Sequence, residues 1–333
     1  MEKKKMIWGA SILFLILVIM NIGMGLIDFG EIPIALNILI PQGLILIPVL
    51  IYVLVTKQNL FQLIRFRKIN FWSLLLVIPV VYLLEPLLIC INAVSMAFST
   101  NVIAGTMDDI TSTLPYVAGI SLMALLPAIV EETTFRGVLL NSFYQERHPW
   151  TAILFSALCF GLMHMNFNQI AYALVLGILM GIILEAGGSI LATMLLHFLY
   201  NATSTSLLYL LPKLMNWSTQ VLEDSGINQQ EIDQMMNVGD AAAATTPGEC
   251  LAIAGMMLIP ALAGVALAGF LIYAIAYLNG RQEILKSMFR KKTPEEKEAM
   301  KIDKVRVMNV ILGIGMGLCV AYAILVEVLQ RIG

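Results

Sequence analysis

The sequence predicts an all-α protein, a polytopic transmembrane helix bundle of about eight to nine spans with a catalytic cavity among its central helices. Three observations carry this. Of 333 residues, 59 % are hydrophobic and 13 % charged, against about 25 % charged in a soluble domain. Apolar segments recur along the whole chain, roughly over 6–27, 33–55, 71–98, 115–143, 150–166, 169–186, 188–211, 250–279 and 307–330, most of them near the ~20 residues that cross a bilayer core. The charges that remain are unevenly shared between the connecting loops, which fixes an orientation.

Each segment has its own justification. The first follows Lys3, Lys4 and Lys5 and runs on without an Ala-x-Ala cleavage pattern, so it reads as a spanning helix and not as a removed signal peptide. Segments five and six are short and meet at Asn166 to Asn168; they form either a tight hairpin or a partly re-entrant pair buried in protein. With the N-terminus inside, the loops on that side collect Lys57, Arg65, Arg67, Lys68, Arg147 and the nine basic residues from Arg281 to Arg306. Together with the first three lysines they hold 17 of the 20 basic residues, as the positive-inside rule requires of a nine-span, N-in layout. The opposite loops are acidic: Asp28 and Glu31, Asp108 and Asp109, then Glu223, Asp224, Glu231, Asp233, Asp240 and Glu249. The chain therefore divides into N-terminal helices (1–114), a core (115–211), an extracytoplasmic loop (212–249) and C-terminal helices with a basic cytoplasmic loop (250–333). Within the long loop, 229–236 has a weak helical pattern and 241–247 reads as flexible linker. The expected setting is the plasma membrane of a prokaryote, with the bilayer as a partner and no nucleic acid.

Four cysteines, Cys90, Cys159, Cys250 and Cys319, lie in or beside apolar segments without CxxC spacing and read as small membrane hydrophobes. The 20 methionines read as adaptable packing and not as a copper site, since no Met-x-x-Met series converges with a cysteine.

Charges inside the spans are more informative. The stretch Ile129-Val-Glu-Glu-Thr-Thr-Phe-Arg-Gly137 puts Glu131, Glu132 and Arg136 well inside an apolar helix, where each isolated charge costs ~2.5 kcal/mol or more. Glu132 and Arg136 at i,i+4 share a face and pair, while Glu131 points about 100° away and stays free. Two of the three histidines are also intramembrane, His164 four residues after Phe160 and His197 four residues before Asn201. Those spacings set an aromatic ring beside one imidazole and an amide beside the other. His148, ahead of Pro149, is a loop residue. Glu85, before Pro86, is expected to hydrogen-bond where the proline frees a carbonyl, and Glu185 to lie at the inner membrane boundary.

Carboxylates, two imidazoles and an amide suit attack of water on a carbonyl: a base to take the proton and donors to steady the oxyanion. The same residues, Glu131, His164 and His197, offer three ligands for a catalytic zinc ion with an open fourth position. The spacing is not His-Glu-x-x-His, and a metal-free glutamate mechanism is the preferred reading. His197 lies about 13 Å from the inner end of its helix, which suggests access from the inside.

Glu131-Glu132-Thr-Thr-Phe-Arg136, Phe160-Gly-Leu-Met-His164 and His197-Phe-Leu-Tyr-Asn201 resemble the three ordered motifs EExxxR, FxxxH and HxxxN of the CPBP (Abi) family, which includes the type II CAAX prenyl endopeptidases and bacteriocin-processing or self-immunity proteins. The resemblance covers roughly Tyr116 to Leu208. It implies an intramembrane endopeptidase acting on a membrane-associated protein or peptide. Glu131 and His164 would activate water, His197 and Asn201 would form the oxyanion site, and Glu132, Arg136 and Phe160 would support them. Two other classes remain open: a proton-coupled transporter with Glu131, Glu132 and His164 as a relay, and an immunity protein that binds a peptide without cutting it and would tolerate substitution of His197 or Glu131.

Overall fold

The computed structural model describes residues 2–27, 32–99, 110–145, 148–225, 246–303 and 305–332. The acidic residues Asp28, Glu31, Asp108, Asp109, Glu231, Asp233 and Asp240, the basic Arg147 and Lys304, the 229–236 helix and most of the 241–247 linker lie outside them.

Among the described residues, nine long helices occupy the nine expected segments. They are α1 (Glu2–Gly25), α2 (Ile34–Val55), α3 (Phe71–Met96), α4 (Tyr116–Phe143), α5 (Pro149–Met163), α6 (Phe167–Gly187), α7 (Ile190–Asp224), α8 (Pro247–Leu278) and α11 (Val310–Ile332), with α9 (Gln282–Phe289) and α10 (Pro294–Asp303) between the last two. Seven of the nine are long and apolar enough to cross a membrane. The other two are α5, with only 15 residues, and α7, which carries His197, Asn201 and a run of Ser and Thr. These two bear the histidine motifs; α5 is apolar and falls short by length alone, while α7 carries the polar residues of the site.

Local chemistry explains where helices start and stop. Asn70, Asn166 and Ser189 cap α3, α6 and α7 by accepting from backbone N–H groups in the first turn, and Thr246 with Glu249 forms a capping box on α8. Gly188, at φ 72°, ends α6 in the left-handed conformation that glycine adopts without strain. One boundary departs from expectation: α7 runs through Pro212 to Asp224, so 212–224 is helix and the outer connection is shorter than its composition suggested.

Packing sets α3 against α8, closest where Gly264 leaves no room for a Cβ beside the Leu83 carbonyl, and α1 against α11. Segments five and six form the tight hairpin. Antiparallel α5 and α6 are joined by His164, Met165 and Asn166, and Asn21 of α1 donates to the Met163 carbonyl at 3.0 Å to satisfy the turn. At 15 residues, α5 is about 22 Å long, short of the ~30 Å hydrocarbon core. His164 at its end therefore sits within the membrane's depth.

The loops expected on one side do gather at one end of the bundle, here termed the basic end. Lys3 donates to the Asn141 carbonyl at 3.2 Å, Gln145 to Val305 at 2.9 Å and Trp150 to Met288 at 2.9 Å, and His148 bonds the Met300 carbonyl at 2.9 Å. Glu185 is a centre of this end and not a boundary residue open to headgroups. It is fully buried and pairs with Arg65 at 2.5 Å and Arg281 at 3.1 Å, and it accepts from the Tyr144 hydroxyl at 3.3 Å. Burial raises the Tyr144 phenol above its usual value, and the Glu185 carboxylate adds to this.

Candidate active site

Helix α4 does not run as a regular α-helix. It widens into π turns over Ser121–Leu125 and Thr133–Leu139, on either side of the two glutamates. Side chains of neighbouring residues satisfy the displaced carbonyls: Ser156 donates to Phe135 O at 2.7 Å, and Asn141 to Gly137 O at 2.7 Å and Arg136 O at 3.1 Å. Such bulges often accompany functional positions. Here they lie in the segment that carries the site's charged side chains.

Glu132 and Arg136 pair as their spacing predicts, at 2.8 Å, with both side chains wholly buried. The guanidinium lies 4.0 Å over the Phe160 ring, and Gly177 packs close by, where a Cβ would meet Ala157 at 2.9 Å and Arg136 Nη2 at 3.2 Å. Phe160 in turn stands edge-on to both imidazoles, 5.1 Å from His164 and 5.9 Å from His197. One buried cation thus backs an aromatic ring that spaces the two histidines.

His197 is held by the glutamate pair. Its Nδ1 is 3.0 Å from Glu132 Oε1, and its Nε2 faces Glu131 Oε2 at 3.8 Å. His164 Nδ1 is 2.9 Å from the Phe160 carbonyl. A carbonyl only accepts, so this nitrogen carries the proton and Nε2 of the neutral ring is left as an acceptor. Glu131, unlike Glu132, keeps 17 % of its side chain exposed.

Glu131, His164, His197, Asn201 and Phe160 line one cavity of about 270 Å³. All four residues expected to do chemistry are thereby brought together, with Glu132 and Arg136 behind them. The rest of the lining includes Met123 and Pro127 from α4, Gln169, Tyr172 and Leu176 from α6, and Tyr200, Ser204, Thr205 and Leu208 from α7. From Glu131 toward Met123, and from His197 toward Leu208, this lining runs away from the basic end. The cavity thus extends from the site toward the end opposite the basic one.

Sequence reasoning passed over several of these residues. Tyr172 and Tyr200 resemble ordinary membrane aromatics. Gln42 of α2 donates to Glu131 Oε1 at 3.3 Å; its only signal in the sequence is an amide after Pro41 in an apolar run. Glu85 Oε2 is buried without a partner, so the hydrogen bond expected beside Pro86 does not account for it. Among the described residues, no group of three His, Cys, Asp or Glu side chains has the arrangement of a metal site. His197 Nδ1 faces Glu132 and His164 Nδ1 the Phe160 carbonyl.

Comparison with known proteins gives a family match over part of the chain. Residues 113–203 match the family model described as type II CAAX prenyl endopeptidase Rce1-like. No match was found among curated proteins or among solved structures. The matched stretch begins just ahead of α4 and ends in α7 two residues past Asn201. Over residues 113–203 the chain is therefore similar to the Rce1-like type II CAAX prenyl endopeptidases, with every residue of the three motifs inside the matched stretch.

Proposed function

We propose that this chain is an intramembrane endopeptidase, CAAX-protease-like, that hydrolyses a peptide bond of a membrane-associated protein or peptide with water activated by Glu131 and His164. The observation that carries the reading is the convergence of Glu131, His164, His197 and Asn201 on one cavity inside a helix bundle.

The roles follow from which atoms are free. His164 offers the lone pair of Nε2, and Glu131 is the carboxylate that keeps contact with the cavity. A water held between them loses its proton to Glu131 as its oxygen attacks the scissile carbonyl carbon. The oxyanion that forms needs donors. Asn201 supplies its side-chain N–H₂, and His197, with Nδ1–H given to Glu132, supplies Nε2–H when the ring is doubly protonated. As the intermediate collapses, the C–N bond breaks and the proton on Glu131 passes to the leaving amine. Glu132 and Arg136 touch no reacting atom; they hold His197 and Phe160 in place.

The setting proposed for this chemistry is a cell membrane with the basic end in the cytoplasm. The distribution of Lys and Arg supports that orientation.

The test is cleavage of a library of membrane-tethered peptides by the full chain in liposomes, with and without a strong zinc chelator. Wild type cleaves, Glu131→Gln loses about 10²–10⁴-fold in rate, and the chelator has no effect. Cleavage that survives Glu131→Gln overturns the reading. Activity that disappears with chelator and returns with zinc transfers the water to a metal.

A further inference from the structure

We propose that Gln42, on a helix outside the family-matched domain, is a positioning residue for Glu131, so that the N-terminal helices form part of the active site. This rests on the peptidase reading above.

The family match begins at residue 113, and Gln42 lies 71 positions earlier in the chain, in α2. Its side-chain amide donates to Glu131 Oε1 at 3.3 Å. With one carboxylate oxygen held, the other, Oε2, is the one turned toward His197 Nε2. A free glutamate would rotate about its last torsion and spread its lone pairs over many directions. A general base needs them aimed at the water. No residue of the three motifs is seen to donate to Glu131 at hydrogen-bond distance, and His197 stands off at 3.8 Å. Glu132, by contrast, has both Arg136 and His197.

The rest of the glutamine supports a dedicated role. Its carbonyl Oε1 is buried and accepts nothing, so the residue is not explained as helix-to-helix glue with both ends satisfied. Reversing the amide would bring two acceptor oxygens together against an ionised Glu131; only the orientation found serves the carboxylate.

The experiment is a double-mutant cycle on the full chain in liposomes, with the membrane-tethered peptide that wild type cleaves best. Gln42→Met keeps the length and removes the donor. The expected result is a fall in kcat of about ten- to a hundredfold, the scale of a hydrogen bond to a charged group, with KM within about twofold and the thermal midpoint unchanged. In a Glu131→Asp background, whose shorter carboxylate lies out of the amide's reach, the same substitution has little further effect. An equal loss in both backgrounds, a change in KM alone or an unchanged kcat overturns the proposal. Failure of the peptidase reading is a separate result: no cleavage by wild type, or cleavage that survives Glu131→Gln. The infrared carboxylate band of Glu131, taken as wild type minus Glu131→Gln, then decides the contact. A band that Gln42→Met shifts upholds the positioning, and one it leaves in place overturns it.

Discussion

The two ends of the bundle treat charge in opposite ways. At the basic end, Glu185 is sealed among Arg65, Arg281 and Tyr144, and helices far apart in sequence are tied by bonds from loop to loop. Toward the other end, Glu131 keeps a partly exposed carboxylate facing a cavity, and Asn201, Ser204 and Thr205 line its wall. Charges at the closed end are satisfied and hold the fold. Those at the open end are left with unused valence, as catalysis requires. Between them lies the Glu132–Arg136 pair, buried like the first and serving the second.

That intermediate pair gives the largest expected effect. Arg136→Met leaves Glu132 charged and buried with its cation gone, which costs about 3–5 kcal/mol. It also removes the cation stacked on Phe160, so stability and cleavage should fall together. Unfolding in mixed micelles beside a cleavage assay checks this. A variant as stable as wild type would show that the pair is not the junction between the two halves.

Substitutions confined to one half should separate the two properties. Asn201→Ala at the open end should lower kcat by about 10²–10³-fold, the usual value of one oxyanion donor, with the unfolding midpoint unmoved. Glu185→Ala at the closed end should do the reverse. It leaves two partly buried arginines facing each other, which costs about 3 kcal/mol, while kcat per folded molecule stays at the wild-type value. If Glu185→Ala instead slowed cleavage in protein that remains folded, the basic end would be coupled to the site and the division drawn here would fail.

The same contrast explains what the sequence could tell. The helical bundle and the places of its apolar helices were legible because hydrophobic length acts residue by residue, with no partner needed. The motif residues were legible because intramembrane charge is costly wherever it occurs, so Glu131, Glu132, Arg136, His164 and His197 stood out before any contact was known. Pairings between distant helices were not. His197 bonds Glu132 from 65 positions away and Gln42 reaches Glu131 from 89, and neither spacing follows any periodicity. The π turns were equally hidden, since Thr133–Leu139 has the composition of an ordinary helix and its widening depends on Ser156 and Asn141 finding the displaced carbonyls. The continuation of α7 to Asp224 was obscured by Pro212, a residue that interrupts helices in general but is accommodated here.

The smallest effect belongs to charges that serve neither half. Glu296 at the start of α10 accepts from the Thr293 backbone N–H at 2.9 Å and pairs with Arg290 in the connection from α9. The Thr293 hydrogen bond first, and Arg290 second, hold its carboxyl below the usual range. A carboxyl depressed in the folded state stabilises it at neutral pH and ceases to do so as pH falls through the folded value. Both partners are well exposed, with 49 % and 35 % of their side chains open, so solvent and salt screen the pair. Glu296→Gln should therefore leave cleavage at wild-type rate and lower the unfolding midpoint only slightly at neutral pH, and that small difference should vanish as pH falls through the depressed carboxyl value. A clear loss of activity in this variant would mean that α9 and α10 report to the cavity through the basic end. It would place the closed half in the mechanism and not only in the fold.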